Sequence, residues 1–357
     1  MDNSCLNLFL KPVQNTISSP ASVSDNEIHF CFCMITPDAI IRGKVAAILQ
    51  ILYNCNIKVV DFSIKYLSDE DIEEIYKTTY SQKILQKQKT HWWLTKRSYS
   101  IAPAIGLIVY MENIPPAEDS IYSYIKRLKG QSIPERNHQN TIRGSLHSCS
   151  KTLALFHSSD DYSCACREHK MFFRDGVIDK LLSKDKPYIY DLDYICNSIL
   201  DDSTTDISAY VAFYRYKVRI LLYIDKLIPQ NSRWSTIFDV LYRLYIKGIF
   251  SVRDVSIVEE KSFYVNLFMR ENKIWENHIQ GNLIATFRFS IPETADGAYK
   301  QLYLIGMMEI LYKFSIPHLF PSLNVDEIVT YFSDAHIYLT QWEKLLIENL
   351  LFFYDWE

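Results

Sequence analysis

Three side chains that could together transfer a phosphoryl group lie near the middle of the chain. Arg143 belongs to a Thr-Ile-Arg-Gly stretch, His157 begins a His-Ser-Ser-Asp stretch, and Glu168 follows shortly afterwards. A neutral imidazole can act as a nucleophile when a carboxylate holds its other nitrogen as a donor. A planar guanidinium can hold two phosphate oxygens at once. The set therefore predicts a phosphoryl-transfer site or the remains of one.

The composition limits the class of protein. A length of 357 residues predicts two domains, and 48% hydrophobic with 22% charged residues is ordinary for a globular chain. A net charge of −4 gives no footprint for nucleic acid or for an anionic membrane. Neither a P-loop nor a GxGxxG motif occurs, and the start lacks the basic region of a signal peptide. We therefore expect a soluble protein of the cytoplasm, without nucleic-acid or membrane partners.

Eight cysteines in a chain of this length do not predict a disulfide framework. Two pairs have Cys-x-Cys spacing, Cys31 with Cys33 and Cys164 with Cys166, and His169 lies near the second pair. A metal site is conceivable there, but we expect reduced cysteines and no metal.

Hydrophobic periodicity predicts alternating strands and helices before residue 175. Strands are predicted at 28–35, 57–64 and 105–111, and helices at 45–52 and 122–128. Ser68, followed by three acidic residues, is expected to cap a further helix.

The same order of patterns returns downstream and predicts an internal duplication. A fixed shift of 192 positions (249 − 57) relates Pro37 to Pro229, Val45 to Ile237, Leu52 to Leu244 and Ile57 to Ile249. The second unit should have strands at 218–224, 249–257 and 283–289 and a closing helix at 342–354. The predicted organisation is an irregular arm at 1–26, a first domain at 27–175, a connector at 176–210 and a second domain at 211–357.

Three stretches, at 36–43, 140–144 and 157–160, together resemble the signature sequences of the nucleoside diphosphate kinase family. The resemblance covers about residues 28–173 well and 215–355 weakly. It implies an α/β fold, an α+β sandwich on a ferredoxin-like βαββαβ antiparallel sheet, in two tandem domains. It also implies ping-pong transfer of a γ-phosphate between nucleotides through a phosphohistidine, with ATP and magnesium bound in the first domain.

The same resemblance assigns roles to individual residues. His157 matches the nucleophile, and Glu168 matches the carboxylate that orients it. Arg143 matches a phosphate-clamping arginine, and Tyr76 matches a tyrosine near the phosphate. Arg143 and Glu168 could equally form a buried pair that holds the fold.

Several positions depart from the family pattern. Thr36 replaces a lysine, Lys126 replaces the second clamping arginine, Ser132 replaces the threonine of the phosphate loop and Ala154 replaces an asparagine. The loss of one preorganised electrostatic contact typically costs roughly 10²–10³ in rate. The second copy carries Tyr331 at the histidine position and should be inactive. We therefore expect a pseudoenzyme, and the alternative is an active kinase that uses only its first domain.

Two tandem domains resemble the cilia- and axoneme-associated branch of the family. This likeness implies a structural protein of the cytoskeleton, bound to tubulin in the microtubule doublets of a cilium or flagellum, with the two domains paired as an internal pseudo-dimer. A basic run surrounds Trp92 and Trp93, and it predicts either a surface for an acidic partner or a solvated loop. The basic residues of this run are Lys83, Lys87, Lys89, Lys96 and Arg97.

Overall fold

The structure is a computed structural model that describes residues 29–77, 91–173, 188–198, 206–228, 233–251, 255–278 and 295–354. These residues form a sheet-based first domain and a helical unit. The predicted arm at 1–26 lies outside the described residues.

A four-stranded antiparallel sheet forms the centre of the first domain. Its strands are β1 (Phe30–Ile35), β2 (Lys58–Lys65), β3 (Ala104–Tyr110) and β4 (Phe156–Ser158), in the order β2-β3-β1-β4. Every residue of β1 is buried, because the strand lies between two neighbours and is covered on both faces. The three predicted strands of this half are confirmed, as is the antiparallel α/β architecture of the first domain.

The helices of this part are α1 (Pro37–Ile41), α2 (Val45–Asn54), α3 (Asp69–Ile75), α4 (Trp92–Ser100), α5 (Ile121–Lys129), α6 (Ile142–Ser145), α7 (Tyr162–Glu168) and α8 (Leu192–Ser198). The α2 helix buries the predicted stripe of Val45, Ile48, Leu49 and Leu52. Ser68 caps α3, since its side chain accepts from the Asp71 N–H while the Asp71 carboxylate accepts from the Ser68 N–H. That predicted cap is confirmed.

The second half of the chain is helical where it is described. Its helices are α9 (Ala209–Leu227), α10 (Arg233–Phe250), α11 (Ile257–His278), α12 (Ala295–Lys313), α13 (Val325–Tyr331) and α14 (Gln341–Phe353). The described residues between 206 and 354 contain no strand. The α14 helix confirms the predicted closing helix at 342–354, but the expected second βαββαβ sheet is not what these residues form.

The strand predicted at 218–224 was wrong. This segment lies inside α9, where Phe213, Tyr216, Ile220 and Ile224 are buried at helical spacing while Leu222 is 45% exposed. A short apolar run cannot be assigned to a strand or a helix by its own periodicity, and here the flanking residues continue the helical pattern.

The strand predicted at 249–257 was also wrong. Ile249 lies in the last turn of α10, and Ile257 is the first residue of α11. The third predicted strand, at 283–289, lies outside the described residues. The shift of 192 positions therefore pairs Ile57, the residue just before β2, with the last turn of a helix, so the paired positions do not share a secondary structure.

The helical unit packs against the first domain through α4 and the segment before β4. Arg97 of α4 forms ion pairs with Glu348 of α14 and, at 3.2 Å, with Asp326 of α13. The Ser150 and Thr152 hydroxyls both donate to Oδ1 of Asn349, at 2.5 and 2.6 Å. The two parts differ in architecture, so this contact does not join two copies of one fold.

The two tryptophans of the basic run both contact other parts of the protein. The Trp93 ring, 46% exposed, packs edge-on against Phe352 of the helical unit with ring centroids 5.9 Å apart. Lys96 pairs with Asp69 at 3.0 Å and with Glu73 at 2.6 Å. The described part of this run is therefore an intramolecular contact, and Lys83, Lys87 and Lys89 lie outside the described residues.

A fully buried ion pair lies in the core of the helical unit. Lys217 Nζ is 2.5 Å from Glu271 Oε2 and donates at 3.1 Å to the Phe314 carbonyl, while the Tyr245 hydroxyl donates to Glu271 Oε1 at 2.6 Å. The ammonium also lies 4.8–5.4 Å from the centroids of four aromatic rings: Phe213, Tyr214, Tyr245 and Phe268. These contacts compensate both buried charges, which would otherwise be costly.

Across the described helices, none has both the length and the apolar character needed to cross a membrane.

We expect Lys217→Met to destabilise the protein by about 3–5 kcal/mol, because it leaves the Glu271 carboxylate buried without a counter-charge. Denaturant unfolding followed by circular dichroism measures the loss. The matched control is Lys313→Met, which removes a half-exposed pair with Glu309 and should cost about 1 kcal/mol or less. Equal losses in the two variants would contradict this account of the core.

Candidate functional site

A cavity of about 280 Å³ opens beside β4 in the first domain. The ends of α3, α5 and α7, helix α4 and the segment around β4 form its walls. His157, Glu168, Arg143 and Tyr76, four of the predicted site residues, all line it. The structure thus brings together residues that are far apart in the sequence.

A strained backbone position precedes the histidine. Leu155 has a φ of +66°, in the left-handed region that non-glycine residues rarely adopt. Its carbonyl accepts from the Thr36 N–H at 3.1 Å, and its own N–H donates to Asp38 Oδ2 at 3.1 Å. Immediately afterwards His157 pairs with Met34 of β1. These contacts determine where the short strand begins and therefore where the imidazole lies.

Glu168 holds the imidazole of His157. His157 Nε2 is 2.9 Å from Glu168 Oε2, and the carboxylate is almost completely buried at the end of α7. The Ser159 hydroxyl donates to the same oxygen at 2.7 Å, and Arg167 donates to Oε1 at 3.1 Å.

The tautomer of His157 follows from these contacts. A carboxylate accepts hydrogen bonds, so the network assigns the proton to Nε2 and the lone pair to Nδ1. Among the described residues, none forms a hydrogen bond to Nδ1. The geometry is that of an imidazole prepared for nucleophilic attack.

Arg143 binds the backbone. Its Nε donates to the Ala154 carbonyl at 3.1 Å, and its two terminal nitrogens donate to Gly130 at 3.2 Å and Phe156 at 2.8 Å. The alternative of a buried pair with Glu168 is therefore not observed, because the two side chains have separate partners. Two of the five guanidinium N–H groups remain beyond these three bonds. Arg143 thus joins the end of α5 to the residues on either side of Leu155, where β4 begins.

Tyr76 packs beside the nucleophile. Its ring centroid is 5.6 Å from that of His157, in an edge-on arrangement, and its hydroxyl shares a hydrogen bond with the Tyr99 hydroxyl. Burial raises the pKa of the Tyr76 phenol to about 12, so the hydroxyl stays protonated at neutral pH. The ring also contacts Trp92, which lines the same cavity.

The remaining predicted residues are peripheral. Lys126 does not line the cavity; its side chain is 65% exposed and pairs with Asp160 at 3.2 Å. Ser132 lines the rim and is exposed. Thr36, which replaces the family's lysine, is buried outside the cavity lining and donates to Asp38. Of the two expected cationic positions besides Arg143, neither faces the cavity.

Sequence reasoning missed three residues that build the site. Ser159 and Arg167 hold the Glu168 carboxylate, and Lys129 lines the wall beside β4. A signal for Lys129 was present, since Ile121, Ile125 and Lys129 share one face of α5 at a spacing of four, and that face is buried. A lysine on an apolar face is unusual and marks a position to inspect.

Two further expectations concern the cysteines and the second half. Among the described residues, no group of three or more His, Cys, Asp or Glu side chains could hold a metal. Tyr331, predicted at a second histidine position, ends α13, and its hydroxyl donates to the Tyr303 carbonyl at 2.7 Å. It belongs to the helical core rather than to a second copy of the site.

We expect Arg143→Ala to lower the free energy of unfolding by about 3 kcal/mol or more, because three backbone carbonyls lose their donor in a buried place. Denaturant unfolding measures this loss. Arg136→Ala, at an exposed position in the same loop, should change stability by less than about 0.5 kcal/mol. Unchanged stability in Arg143→Ala would remove the structural role assigned to this guanidinium.

Comparison with known proteins identifies the first domain. The sequence model of the family described as nucleoside diphosphate kinase matches residues 30–178. The nucleoside diphosphate kinase of Saccharolobus solfataricus is 25% identical over 142 residues, which is 40% of this chain and 92% of that protein. The enzyme of the same name from Haemophilus ducreyi is 26% identical over 142 residues, 40% of this chain and 91% of its own.

Two solved structures of nucleoside diphosphate kinases align with part of this chain. The nucleoside diphosphate kinase of Encephalitozoon cuniculi aligns over 47% of this chain and 99% of its own, with 20% identity and a TM-score of 0.36. A transition-state mimic of the Borrelia burgdorferi enzyme, with vanadate and ADP, aligns over 47% of this chain and 95% of its own, with 18% identity and a TM-score of 0.36. The family match and the sheet topology together establish that residues 30–178 form a nucleoside diphosphate kinase-like domain.

Proposed function

We propose that the first domain is a slow nucleoside diphosphate kinase that carries the phosphoryl group on His157. The contact between His157 Nε2 and Glu168 carries this proposal, since it leaves Nδ1 as the nucleophilic nitrogen at the wall of a cavity. The relatives that match this part of the chain bear the same name.

The proposed reaction has two steps. The Nδ1 lone pair of His157 forms a bond to the γ-phosphorus of a nucleoside triphosphate, and the bond from that phosphorus to the β,γ-bridging oxygen breaks. The nucleoside diphosphate leaves with the electron pair of that bond, and a second diphosphate then takes the phosphoryl group by the reverse step. Magnesium would enter the site as part of the substrate, bound to the nucleotide.

The rate should be low because the site lacks two cations that the family resemblance leads us to expect. Thr36 contributes no charge, and Lys126, which does not line the cavity, pairs with Asp160 at its edge. Each missing electrostatic contact typically costs roughly 10²–10³ in rate. That the protein is an inactive pseudoenzyme remains a prediction. Detection of slow turnover would distinguish a kinase from such a pseudoenzyme.

Labelling with γ-phosphate-labelled ATP tests the proposal. We expect acid-labile, alkali-stable label on the wild type and none on His157→Ala. Glu168→Gln should label roughly 10²-fold more slowly, since a neutral amide holds the imidazole less firmly. The matched control is His318→Ala, an exposed histidine of the helical unit, which should label like the wild type. Absence of label on the wild type would exclude phosphoryl transfer.

A second candidate function is a structural role on the microtubules of a cilium or flagellum, bound to tubulin or to other axonemal proteins. One feature of the helical unit favours an acidic protein partner. Four exposed cations from α10 and α11 surround an apolar groove floor formed by Val240, Leu244 and Ile274. The cations are Arg243, Lys247, Arg270 and Lys273, and no described carboxylate lies within ion-pair distance of any of them. Charge complementarity would direct such a groove toward an acidic surface.

Co-sedimentation with microtubules tests this second function. We expect the wild type to pellet, and Arg243→Glu with Lys273→Glu to bind at least about tenfold more weakly, with a smaller dependence on salt. The control carries the same charge change at Arg136→Glu and Lys226→Glu, two exposed positions outside the groove. Failure of the wild type to pellet, or equal loss in both variants, would contradict binding through this groove.

A further inference from the structure

Lys129 is a buried cation with few partners. Its residue is 9% exposed, and its Nζ makes one long hydrogen bond, 3.4 Å, to the carbonyl of Ser158. No carboxylate among the described residues lies within ion-pair distance of it. An ammonium has three N–H donors, so two of them lack a partner in the described part of the chain.

This arrangement is costly without a ligand. Burial is the largest cause that lowers the pKa of Lys129, to about 8, and the charge of Arg143 lowers it further. Asp160 and the thiols of Cys33 and Cys31 act in the opposite direction but do not restore the ordinary value. Buried charges in proteins are normally paired, so an anion is the partner that the site lacks.

The other cations of the cavity already have partners. Arg143 donates to three backbone carbonyls, and Arg167 donates to Glu168 and lies 3.6 Å from Glu74. Lys151, which also lines the cavity, has an interaction of its own. Lys129, by contrast, makes a single long hydrogen bond to the described residues.

Lys129 lies close enough to His157 for one anion to contact both side chains. Its Nζ contacts the carbonyl of Ser158, the residue directly after His157 on β4, and both side chains line the same cavity. An oxyanion that reaches the His157 imidazole therefore comes within reach of the ammonium. The approach to Lys129 from the other side is closed by the sheet, since Cys31 and Cys33 of β1 are buried there.

We propose that Lys129 binds a phosphate group of the nucleotide in this cavity and supplies the cation that Thr36 and Lys126 do not. The inference rests on the proposed function in its choice of ligand, a nucleoside phosphate. It differs from that function in what it requires, because phosphate binding by Lys129 does not depend on transfer to His157.

Linkage gives the proposal a pH signature. A bound phosphate stabilises the protonated ammonium, so binding takes up a proton and weakens as the pH rises above about 8. The terminal phosphate of ADP is almost fully ionised above pH 7.5, since the second pKa of an esterified phosphate is about 6. The phenol of Tyr76, with a pKa of about 12, stays protonated over this range. The carboxylates of Glu168 and Asp160 and the imidazole of His157 also face this cavity.

Isothermal titration of the full chain with ADP, and separately with inorganic phosphate, at pH 7.5 and 9.5 tests the assignment. We expect the wild type to lose roughly 20-fold in affinity for ADP between these pH values. Lys129→Met should bind ADP roughly 30-fold more weakly at pH 7.5. Lys129→Arg should bind at both pH values with less than about threefold change, because a guanidinium stays protonated.

The matched control is Lys126→Met, one turn earlier on α5, whose exposed ammonium pairs with Asp160. It should bind ADP like the wild type and keep the pH dependence. Binding of inorganic phosphate with the same pH dependence would assign the contact to the phosphate alone, and ADP binding without phosphate binding assigns it to the nucleotide. Either result supports Lys129 as the anion ligand if the lysine variants respond as stated.

The outcomes separate this inference from the proposed function. Equal ADP affinity in Lys129→Met and the wild type overturns it, even when His157 becomes labelled. Lysine-dependent ADP binding without any label on His157 supports it and excludes the transfer reaction. If Lys129→Met fails to fold, the pH profile of Lys129→Arg decides, and a profile identical to the wild type overturns the assignment. A wild type that binds neither ADP nor phosphate overturns it as well.

Discussion

The guanidinium of Arg143 is the contact on which the geometry of the first domain's cavity depends. It donates to the carbonyls of Gly130, Ala154 and Phe156, which lie at the end of α5 and on either side of Leu155. Gly130 itself has a φ of +86°, and a Cβ there would come within 2.2 Å of the Asn137 side chain, so the turn after α5 is narrowly specified. One side chain thus sets the distance between the helix that carries a cation and the strand that carries the nucleophile.

The hydrogen bonds of Arg143 also limit how much positive charge the cavity can offer to a phosphate. An arginine that satisfies three backbone carbonyls has fewer donors left for a phosphate, although its position in the sequence matches a phosphate clamp. The carboxylate of Glu168 is likewise neutralised locally, by Arg167 and by the hydroxyl of Ser159. Among the described residues, an incoming anion meets the ammonium of Lys129 and the two remaining N–H groups of Arg143, beside the neutral Nδ1 of His157. A site arranged in this way keeps the nucleophile oriented while holding little positive charge in reserve.

Prediction from the sequence succeeded where the signals were local. It failed for the site lysine that was assigned through resemblance to the family. The strands of the first domain, the α2 stripe and the Ser68 cap follow from periodicity and hydrogen-bonding chemistry within a few residues. Lys126 was predicted at the site and Lys129 was not, although they are three residues apart. Three residues turn an α-helix by roughly 300°, and register along α5, rather than residue type, decides which lysine is buried.

In the second half of the chain, the predictions of secondary structure from local sequence patterns failed. The apolar run at 218–224 has the composition of a strand, and its separation from the first domain by a constant shift made a repeat look convincing. The ion pair of Lys217 and Glu271 could not be anticipated, since it joins α9 to α11 only after both helices have formed. Tertiary contacts of this kind override local preference because they satisfy charges that no single segment can satisfy alone.

Helix α4 links the two halves physically. Trp92 lines the cavity and contacts the ring of Tyr76, while Trp93 and Arg97 on the same helix contact Phe352 and Glu348 of α14. Glu348 is 5% exposed, so its ion pair is more strongly coupled to packing than a surface pair would be. The helix is nine residues long, and its two faces therefore move together. A displacement of α14 that is transmitted through the Arg97 contact would therefore reach the cavity wall beside Tyr76, whose ring packs against His157.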